Sequence, residues 1–227
     1  MDYSTLFITI KGYIENDFPD TVFYGSDGTT VTTLTSVEQI NTFIELAEER
    51  VYNSVQIPAI RKNQTGYMTS GNKYLSLPSD WLATFSLSVI TPVTGEQTFL
   101  LNKDVNYIRE AFPVPSDAGT PTHYAQFSDY SLIIGPTPDA SYQVELHYYY
   151  YPETIVTAGS TWLGNNFETV LLYGALREAA VFTKGEADMV ANYEGKYQES
   201  LALLKQLGDG KDRRDAYRSG QVRIPVQ

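Results

Sequence analysis

Apolar residues recur at helical spacing between Thr161 and Leu207, and the pattern there predicts a pair of helices. The first is apolar over most of its circumference, which is typical of a buried helix, and the second is apolar on one face only. A neighbouring helix can come close to the first because several of its side chains are small: Gly174, Ala175, Ala179 and Ala180. The second helix is expected to end at Gly208, because glycine suits the left-handed position after a helix.

The same periodicity predicts two helices before residue 60. The apolar stripe of the first runs from Tyr3 to Ile14, and this helix is expected to end at Phe18-Pro19, because the residue before a proline avoids the helical region. The second begins with a capping box, for which Ser36 and Thr35 are both suitable first residues, and ends at Pro58. These two helices would cover further sides of the buried helix.

From Arg61 to about Pro152 the helical spacing gives way to short β-prone runs separated by turn residues. About seven strands at this spacing are typical of a small antiparallel barrel or sandwich. A β-hairpin is predicted around Ser70-Gly71-Asn72 and another, in the connection between the first two helices, around residues 26–29. A short helix is expected over residues 104–111.

Together these patterns predict an α+β protein. It would consist of an antiparallel helical bundle of about four helices, an inserted small antiparallel β-barrel or sandwich domain, and an extended C-terminal tail. The expected parts are the N-terminal part of the bundle (1–60), the inserted β domain (61–155), the C-terminal helix pair of the bundle (156–207) and a C-terminal docking arm (208–227).

Composition narrows the possible chemistry. The chain has no cysteine and only two histidines, His123 and His147, so a metal site would need both histidines and carboxylates brought together by the fold. The sequence contains no phosphate-binding loop, no dinucleotide-binding glycine motif and no nucleophile elbow. We therefore expect no catalytic residues, no metal and no cofactor.

The net charge of −11 argues against general nucleic-acid binding, because phosphate contacts need lysine and arginine. No apolar run is long enough to span a bilayer, and the first residues lack the pattern of a secretory signal, so no membrane association is expected.

The tail from Gly208 differs in charge from the rest of the chain. Five basic and three acidic residues give it about +2, which leaves −13 for the residues before it. One interpretation is a solvated terminus. The other is a docking arm that orders on a partner, with its basic residues and an apolar end that could lie extended in a groove. The arm residues would be Lys211, Arg213, Arg214, Arg218, Val222, Arg223 and Ile224.

Tyrosine is unusually frequent, with 18 in the chain and four in a row at residues 148–151. On a strand, Tyr148 and Tyr150 would face one side, and Tyr149 and Tyr151 the other. Three interpretations stay open: a half-exposed aromatic strand, a contact with a neighbouring subunit, or a stacking platform for sugars. The second helix of the C-terminal pair carries two further candidates for a subunit or tail contact, Tyr193 and Tyr197.

Several segments, in this order, resemble the head-to-tail adaptor proteins of tailed bacteriophages, also described as head-completion or connector proteins. The resemblance covers roughly residues 36–207. It rests on IELAEERVYN in the capped helix, YLSLPSDWL at 74–82, GTPTHYA at 119–125, LIIGPTPDASYQVELHYYYYPE at 132–153, and the helix pair that begins TWLGNNFETVLLYGAL.

This resemblance implies a structural virion protein of the neck that is assembled in the bacterial host cytoplasm. Such adaptors form a homo-oligomeric ring, commonly dodecameric, between the portal protein and a tail nozzle or tail-tube or terminator protein. DNA would pass through the channel without sequence-specific binding. In such adaptors a C-terminal extension typically grips the portal, which favours the docking-arm interpretation of the tail.

Two other functions remain open on the residues alone. The β segment could be a carbohydrate-binding module of a tail or receptor-binding assembly, with the tyrosine strand as its platform. A hydrolase without a recognisable motif is the third possibility.

Overall fold

The computed structural model describes residues 1–27, 31–91 and 94–218, and within them it confirms a mixed α+β chain. Two compact units are present: a helical unit, Met1–Pro58 with Pro152–Gln227, and a β unit, Ala59–Tyr151. The described helices are α1 (Tyr3–Ile14), α2 (Ser36–Ser54), α3 (Val105–Ala111), α4 (Ile155–Ala158), α5 (Trp162–Asn166), α6 (Glu168–Phe182) and α7 (Ala187–Arg218). The described strands are β1 (Thr21–Tyr24), β2 (Val31–Leu34), β3 (Arg61–Tyr67), β4 (Tyr74–Ser76), β5 (Ala83–Ile90), β6 (Gln97–Phe99), β7 (Leu101–Asn102), β8 (Ala118–Gly119), β9 (His123–Ser128), β10 (Ser131–Gly135), β11 (Thr137–Pro138) and β12 (Gln143–Tyr149).

The helical unit is organised around α6, which packs against α7, α2, α1 and α5. The closest approach is at Gly174. A Cβ atom built on this glycine would lie 3.0 Å from the Cβ of Ala47 on α2 and 3.3 Å from the ring of Tyr197 on α7. The sequence prediction of close helix packing along the small residues is confirmed at this position.

The buried carboxylate of Glu48 on α2 joins the two chain segments of the helical unit. It accepts hydrogen bonds from the hydroxyl of Thr154 and from the backbone N–H of Ile155 at 3.0 Å, and so caps the first turn of α4. Burial raises the pKa of Glu48 and outweighs these two hydrogen bonds, which lower it. The contact spans 107 residues of sequence.

The ends of α1 and α2 refine the predictions. Helix α2 uses the earlier of the two capping boxes, in which Thr35 and Glu38 each bond to the other's backbone. Helix α1 ends at Ile14, before the predicted stop at Phe18-Pro19, because Glu15 takes a left-handed conformation with a φ of 53° and closes the last turn.

The predicted end of the last helix at Gly208 is wrong, because α7 continues as a single helix to Arg218. Residues 208–218 are therefore not extended, and residues 219–227 lie outside the described part. A helical glycine costs only about 1 kcal/mol relative to alanine, and extending an existing helix is far easier than starting one. The sequence has no proline after Pro152 until Pro225, so no strong stop signal follows Gly208.

The β unit contains two four-stranded sheets. In the first, the order is β3-β12-β5-β6 and every pair is antiparallel. In the second, the order is β4-β10-β9-β7, with β7 parallel to β9. Inward-facing residues of both sheets share one core, which includes Leu87, Leu132, Ile134, Leu146 and Tyr148. The helix α3 packs on the second sheet.

Within the described residues the sheets do not close into a barrel, so the sandwich alternative is the one that fits. Closure needs continuous pairing around the circumference, and the edge strands β4, β6 and β7 have only two or three residues each. The predicted hairpin around Gly71 is also wrong. Gly71 does form a turn with a φ of 76°, but β3 pairs with β12 and β4 pairs with β10. The predicted hairpin before α2 is confirmed, with β1 antiparallel to β2.

The contact at Gly174 predicts an asymmetric response to the same substitution at two helical glycines. Gly174→Val should lower the free energy of unfolding by about 3 kcal/mol, because its methyl groups would push α2 and α7 apart. Gly195 on α7 has no atom within 4 Å of an added Cβ, so Gly195→Val should stay within about 0.5 kcal/mol of the parent. Urea unfolding followed by circular dichroism measures both, and equal effects would contradict the close packing.

The buried Glu48 predicts a pH-dependent stability. Its raised pKa means that the folded chain holds this proton more tightly than the unfolded chain, so its contribution to stability falls as the pH rises from the ordinary glutamate pKa through the folded one. The difference in unfolding free energy between the parent and Glu48→Gln should therefore shift in favour of the glutamine variant between about pH 5 and about pH 8.

The control is Glu48→Ala, which leaves the Ile155 N–H without its acceptor, whereas glutamine can still accept this bond. The alanine variant should lose roughly 1–3 kcal/mol at neutral pH. A pH-independent difference between the parent and Glu48→Gln would show that the carboxyl group does not titrate abnormally.

Candidate assembly surfaces

The four consecutive tyrosines lie at the end of β12, whose residues alternate between buried and half-buried as predicted for a strand with one inward face. Tyr148 is fully buried in the core of the β unit, and its hydroxyl donates a hydrogen bond to Asp80 at 2.9 Å. Lys62 donates to the other carboxylate oxygen of Asp80 at 2.7 Å, and this bond is the main reason that the pKa of Asp80 is lowered. Burial raises the pKa of Tyr148. Its side chain thus offers no free surface to a partner.

Tyr149 faces outward and belongs to a small aromatic and cationic cluster on the first sheet. The guanidinium of Arg61 lies 5.6 Å from the Tyr149 ring and 4.6 Å from the ring of Phe85. Phe85 also contacts His147 edge-on, with 5.0 Å between the ring centroids. We define Arg61, Phe85, His147 and Tyr149 as the outer-face cluster.

A β-bulge brings Phe85 into this cluster. The pairing of β12 with β5 shifts between His147 and Tyr148, so that Ser86 pairs with the former and Thr84 with the latter. Phe85 is the extra residue between them, and a bulge of this kind turns a side chain away from its regular alternation. The ring of Phe85 is half-exposed as a result, where strict alternation would place it with Leu87 in the core.

The outer-face cluster has the wrong shape for a sugar platform. A pyranose ring stacks on a flat aromatic face, but the rings of Phe85 and Tyr149 stand edge to face, with 76° between their planes. The polar residues beside them are also already engaged, since the Glu145 carboxylate accepts from Asn63 at 2.5 Å and from Gln97 at 2.8 Å. The geometry therefore favours a contact surface over a carbohydrate site.

The last two residues of the tyrosine run differ in exposure. Tyr150 is half-buried against the core of the β unit, with the ammonium of Lys62 5.3 Å from its ring. Tyr151 is exposed. Of the four tyrosines, Tyr149, Tyr150 and Tyr151 thus retain some accessible surface.

Tyr193 and Tyr197 on α7 are buried inside the helical unit. Tyr197 packs against Gly174, and the guanidinium of Arg50 lies 4.9 Å from its ring. These two tyrosines hold α7 in place, so their side chains have little surface left for another subunit.

An ion network beside Tyr197 links three helices of the helical unit. Arg50 on α2 lies 3.3 Å from Glu194 on α7 and 3.6 Å from Glu178 on α6. Arg177 pairs with the same two carboxylates, at 2.6 Å from Glu178 and 3.3 Å from Glu194. Burial would raise the pKa of Glu194, but the hydrogen bond from Gln198 and the charges of Arg50 and Arg177 outweigh it and lower the pKa. The network balances two positive charges with two negative ones.

The predicted arm residues divide into two groups. Lys211, Arg213, Arg214 and Arg218 lie on the last turns of α7. The other three, Val222, Arg223 and Ile224, lie outside the described residues.

Two exposed apolar features of the helical unit lie outside the arm and tyrosine residues that were predicted from the sequence as contacts. One is the β1–β2 hairpin, in which every residue of the two strands is exposed. The other is a groove between α2 and the end of α6. The sequence carried a signal for the first, because the runs TVFY and VTTL place apolar residues on both faces of a two-stranded ribbon, which has no inside in which to bury them.

Within the described ranges, no group of three or more histidine, aspartate or glutamate residues is arranged to hold a metal ion. In the same part of the chain, no helix is both long and apolar enough to cross a membrane.

Comparison with known proteins identifies the family of the chain. A family model described as SU10 adaptor protein matches residues 1–225. The chain belongs to the SU10 adaptor protein family. No curated protein matches the sequence.

Membership of the SU10 adaptor family makes this chain a bacteriophage adaptor protein with a structural role, and a component of the virion. Membership of an adaptor family implies interaction with other capsid and tail components of the phage. The resemblance drawn from the sequence motifs is confirmed at this level. The family also favours a non-enzymatic role over a hydrolase.

Because Tyr148 is buried and Tyr149 faces outward, we expect alanine substitutions at these two positions to lower the free energy of unfolding by very different amounts. Tyr148→Ala should lower the free energy of unfolding by about 3–5 kcal/mol, because it empties a buried site and removes the hydrogen bond to Asp80. Tyr149→Ala should cost no more than about 1 kcal/mol, the usual size of an exposed cation–π contact. Urea unfolding of the two variants tests this, and a large loss in Tyr149→Ala would mean that the outer-face cluster serves the fold rather than a surface.

Proposed function

We propose that this SU10-family adaptor is a head-to-tail adaptor of the phage neck. Copies of the chain form a ring, commonly dodecameric in the adaptors that it resembles, between the portal protein and a tail nozzle or a tail-tube or terminator protein. The observation that carries this proposal is the family match over residues 1–225, which covers both the helical unit and the β unit.

The charge distribution supports a position around DNA. The net charge is −11, and the residues before Gly208 carry −13. A channel lined by acidic subunits repels the phosphate backbone, so that DNA passes without adhering to the wall. The ring would thus line the DNA channel without binding any sequence.

In this proposal the helices around α6 form the bundle that gives the ring its body. Four elements from both ends of the sequence pack on α6, and at Gly174 the contacts with α2 and α7 leave no room for a side chain. A rigid body of this kind suits a part that transmits load between head and tail.

The C-terminal arm, residues 208–227, is the proposed portal contact. It carries a net positive charge of about +2 in a strongly acidic chain. Its first part continues α7, so a helical start replaces the extended arm expected from the sequence. The basic residues would meet acidic groups of the portal, and this contact should weaken with salt.

The tyrosine surface of the β unit is a second proposed contact. Tyr149, Tyr150 and Tyr151 retain accessible area, and the outer-face cluster adds Arg61 and Phe85. Tyrosine and arginine are enriched at protein interfaces. We assign this surface to a neighbouring subunit or to the tail partner.

Charge reversal in the arm should separate portal binding from folding. Arg213→Glu/Arg214→Glu should weaken binding to the cognate portal by at least about tenfold, a loss of about 1.4 kcal/mol, because two attractive contacts become repulsive. The measurement is co-sedimentation of the variant with portal rings at low and at moderate salt, with electron microscopy of the product.

The matched control is Lys196→Glu/Lys205→Glu, which makes the same change in net charge at exposed positions of the same helix before the arm. The control should bind as the parent does. Equal losses in both variants would indicate a general charge effect, and full binding by the arm variant would remove the arm from the portal contact.

A further inference from the structure

The β1–β2 hairpin projects from the helical unit, and hydrogen bonds hold its root, by which we mean Pro19, Asp20 and Leu34, where the two strands leave this unit. The buried side-chain amide of Gln39 donates to the backbone carbonyls of Pro19 and Leu34 at 3.0 and 3.1 Å. Ser36 adds a backbone bond to the Asp20 carboxylate at 2.9 Å. The root is therefore fixed on both of its strands by the first turns of α2.

Beyond this root the hairpin is bare on both faces. Phe23 is 67% exposed and Tyr24 66%, and Val22 and Val31 are also open to solvent. An isolated two-stranded ribbon is marginal in water, and exposed aromatic residues add an unfavourable hydration cost. A firmly held root with exposed aromatic residues on the strand beyond it suits a docking element that a partner covers.

A groove of about 280 Å³ lies on the same unit, between α2 and the end of α6. Its rim holds Leu46, Val181 and Phe182, each close to half-exposed. Its floor is the ring of Phe43, whose centroid lies 5.2 Å from that of Phe182. Phe18 packs beneath, 5.6 Å from Phe43, and holds a left-handed φ of 49° that is rare for a bulky residue.

The hairpin does not fill the groove of its own chain. Leu34, at the base of the hairpin, forms part of the groove lining, whereas Phe23 and Tyr24 lie two and three residue pairs further out and remain exposed. The groove is thus an unfilled apolar cavity, whereas Phe23 and Tyr24 are exposed aromatic residues that do not enter a groove of their own chain.

We propose that the β1–β2 hairpin of one copy seats Phe23 and Tyr24 in the α2–α6 groove of the next copy. This inference rests on the proposed ring and assigns its subunit contact. The two surfaces are different patches of one chain, so the contact is heterologous, and head-to-tail contacts of this kind generate rings when their rotation closes. The groove volume also suits one or two aromatic side chains.

Charge favours a second copy over the portal or DNA as the occupant. The only charged residue in the hairpin sequence, residues 21–34, is Asp27. The one charged side chain of the groove lining, Glu178, is already paired with Arg50 and Arg177. The contact is therefore apolar on both sides. Its strength should vary little with salt, in contrast to the proposed arm contact.

The absence of cysteine from the parent chain allows a direct test. Phe23→Cys places a thiol on the hairpin, and Leu46→Cys places one on the groove rim. The double variant, mildly oxidised at high concentration and also after binding to portal rings, should give a ladder of covalent oligomers beyond the dimer on non-reducing gels. Each single variant should remain monomeric on the same gel.

The matched control is Phe23→Cys/Leu203→Cys, in which the second thiol lies at an exposed apolar position of α7 outside the groove. It should give no ladder. A ladder from this control equal to that of the groove pair would overturn the proposal, as would dimers from Phe23→Cys alone, which indicate a symmetric contact between hairpins.

Two further outcomes separate this inference from the proposed function. Portal-bound rings that form normally but give no ladder would overturn the hairpin contact and leave the adaptor role in place. A ladder from free protein that never binds the portal would support the contact and contradict the adaptor role. A disulfide from Leu46→Cys to Val222→Cys, in place of Phe23→Cys, would assign the groove to the C-terminal segment and overturn the proposal.

A second variant pair checks the energy of the contact. Phe23→Ser/Tyr24→Ser should reduce ring formation on the portal by about tenfold or more, the usual effect of removing buried aromatic anchors, at both low and moderate salt. Ile8→Ser/Leu203→Ser removes exposed apolar residues elsewhere on the helical unit and should leave ring formation unchanged. Unchanged rings in the hairpin variant would overturn the proposal.

Discussion

The close packing of α6 is the constraint on which the helical unit depends. A helix that is apolar over most of its surface must be covered on several sides, and the covering elements come from both ends of the sequence. Gly174 sets the distance, because α2 and α7 meet α6 where there is no side chain. Near this contact, Glu48 caps the first turn of α4, and Arg50 pairs with carboxylates of α6 and α7.

The buried and the exposed apolar residues of the helical unit have different roles in this protein. The apolar residues around Gly174 are buried by other residues of the same chain, whereas those of the β1–β2 hairpin and of the rim of the α2–α6 groove remain exposed. A chain that keeps aromatic residues exposed on a fixed support gains nothing for its own stability from them. Assembly is the process in which that exposed surface becomes favourable, and it suits a family of adaptors.

Much of the fold could be predicted because local signals agreed with tertiary packing. The stripe of α2 and its capping box, the small residues of α6, and the alternation of β12 each had one physical meaning. The errors arose where one residue type allows two outcomes. Gly208 can end a helix or lie within one, and Gly71 can close a hairpin or turn the chain from one sheet to another, and only distant contacts decide between these outcomes.

The candidate surfaces were harder to predict than the core. Sequence alternation correctly separates Tyr148 from Tyr149, yet it cannot show that a bulge turns Phe85 outward or that Tyr197 fills the space beside Gly174. The groove is composed of residues far apart in sequence, Phe43 and Phe182 among them, so no local pattern reveals it. The family match identified the role, but the surfaces had to come from three-dimensional packing.

The root of the hairpin has a consequence for the geometry of the proposed ring. In a head-to-tail ring, the number of subunits follows from the angle between the part that projects and the part that receives it. In the proposed ring that angle would depend on the bonds from Gln39 to Pro19 and Leu34 and from Ser36 to Asp20, while the receiving groove begins on the same helix, α2. Because neighbouring ring sizes differ by only a few degrees per subunit, a few hydrogen bonds at the start of one helix would help to set the number of copies in the proposed ring.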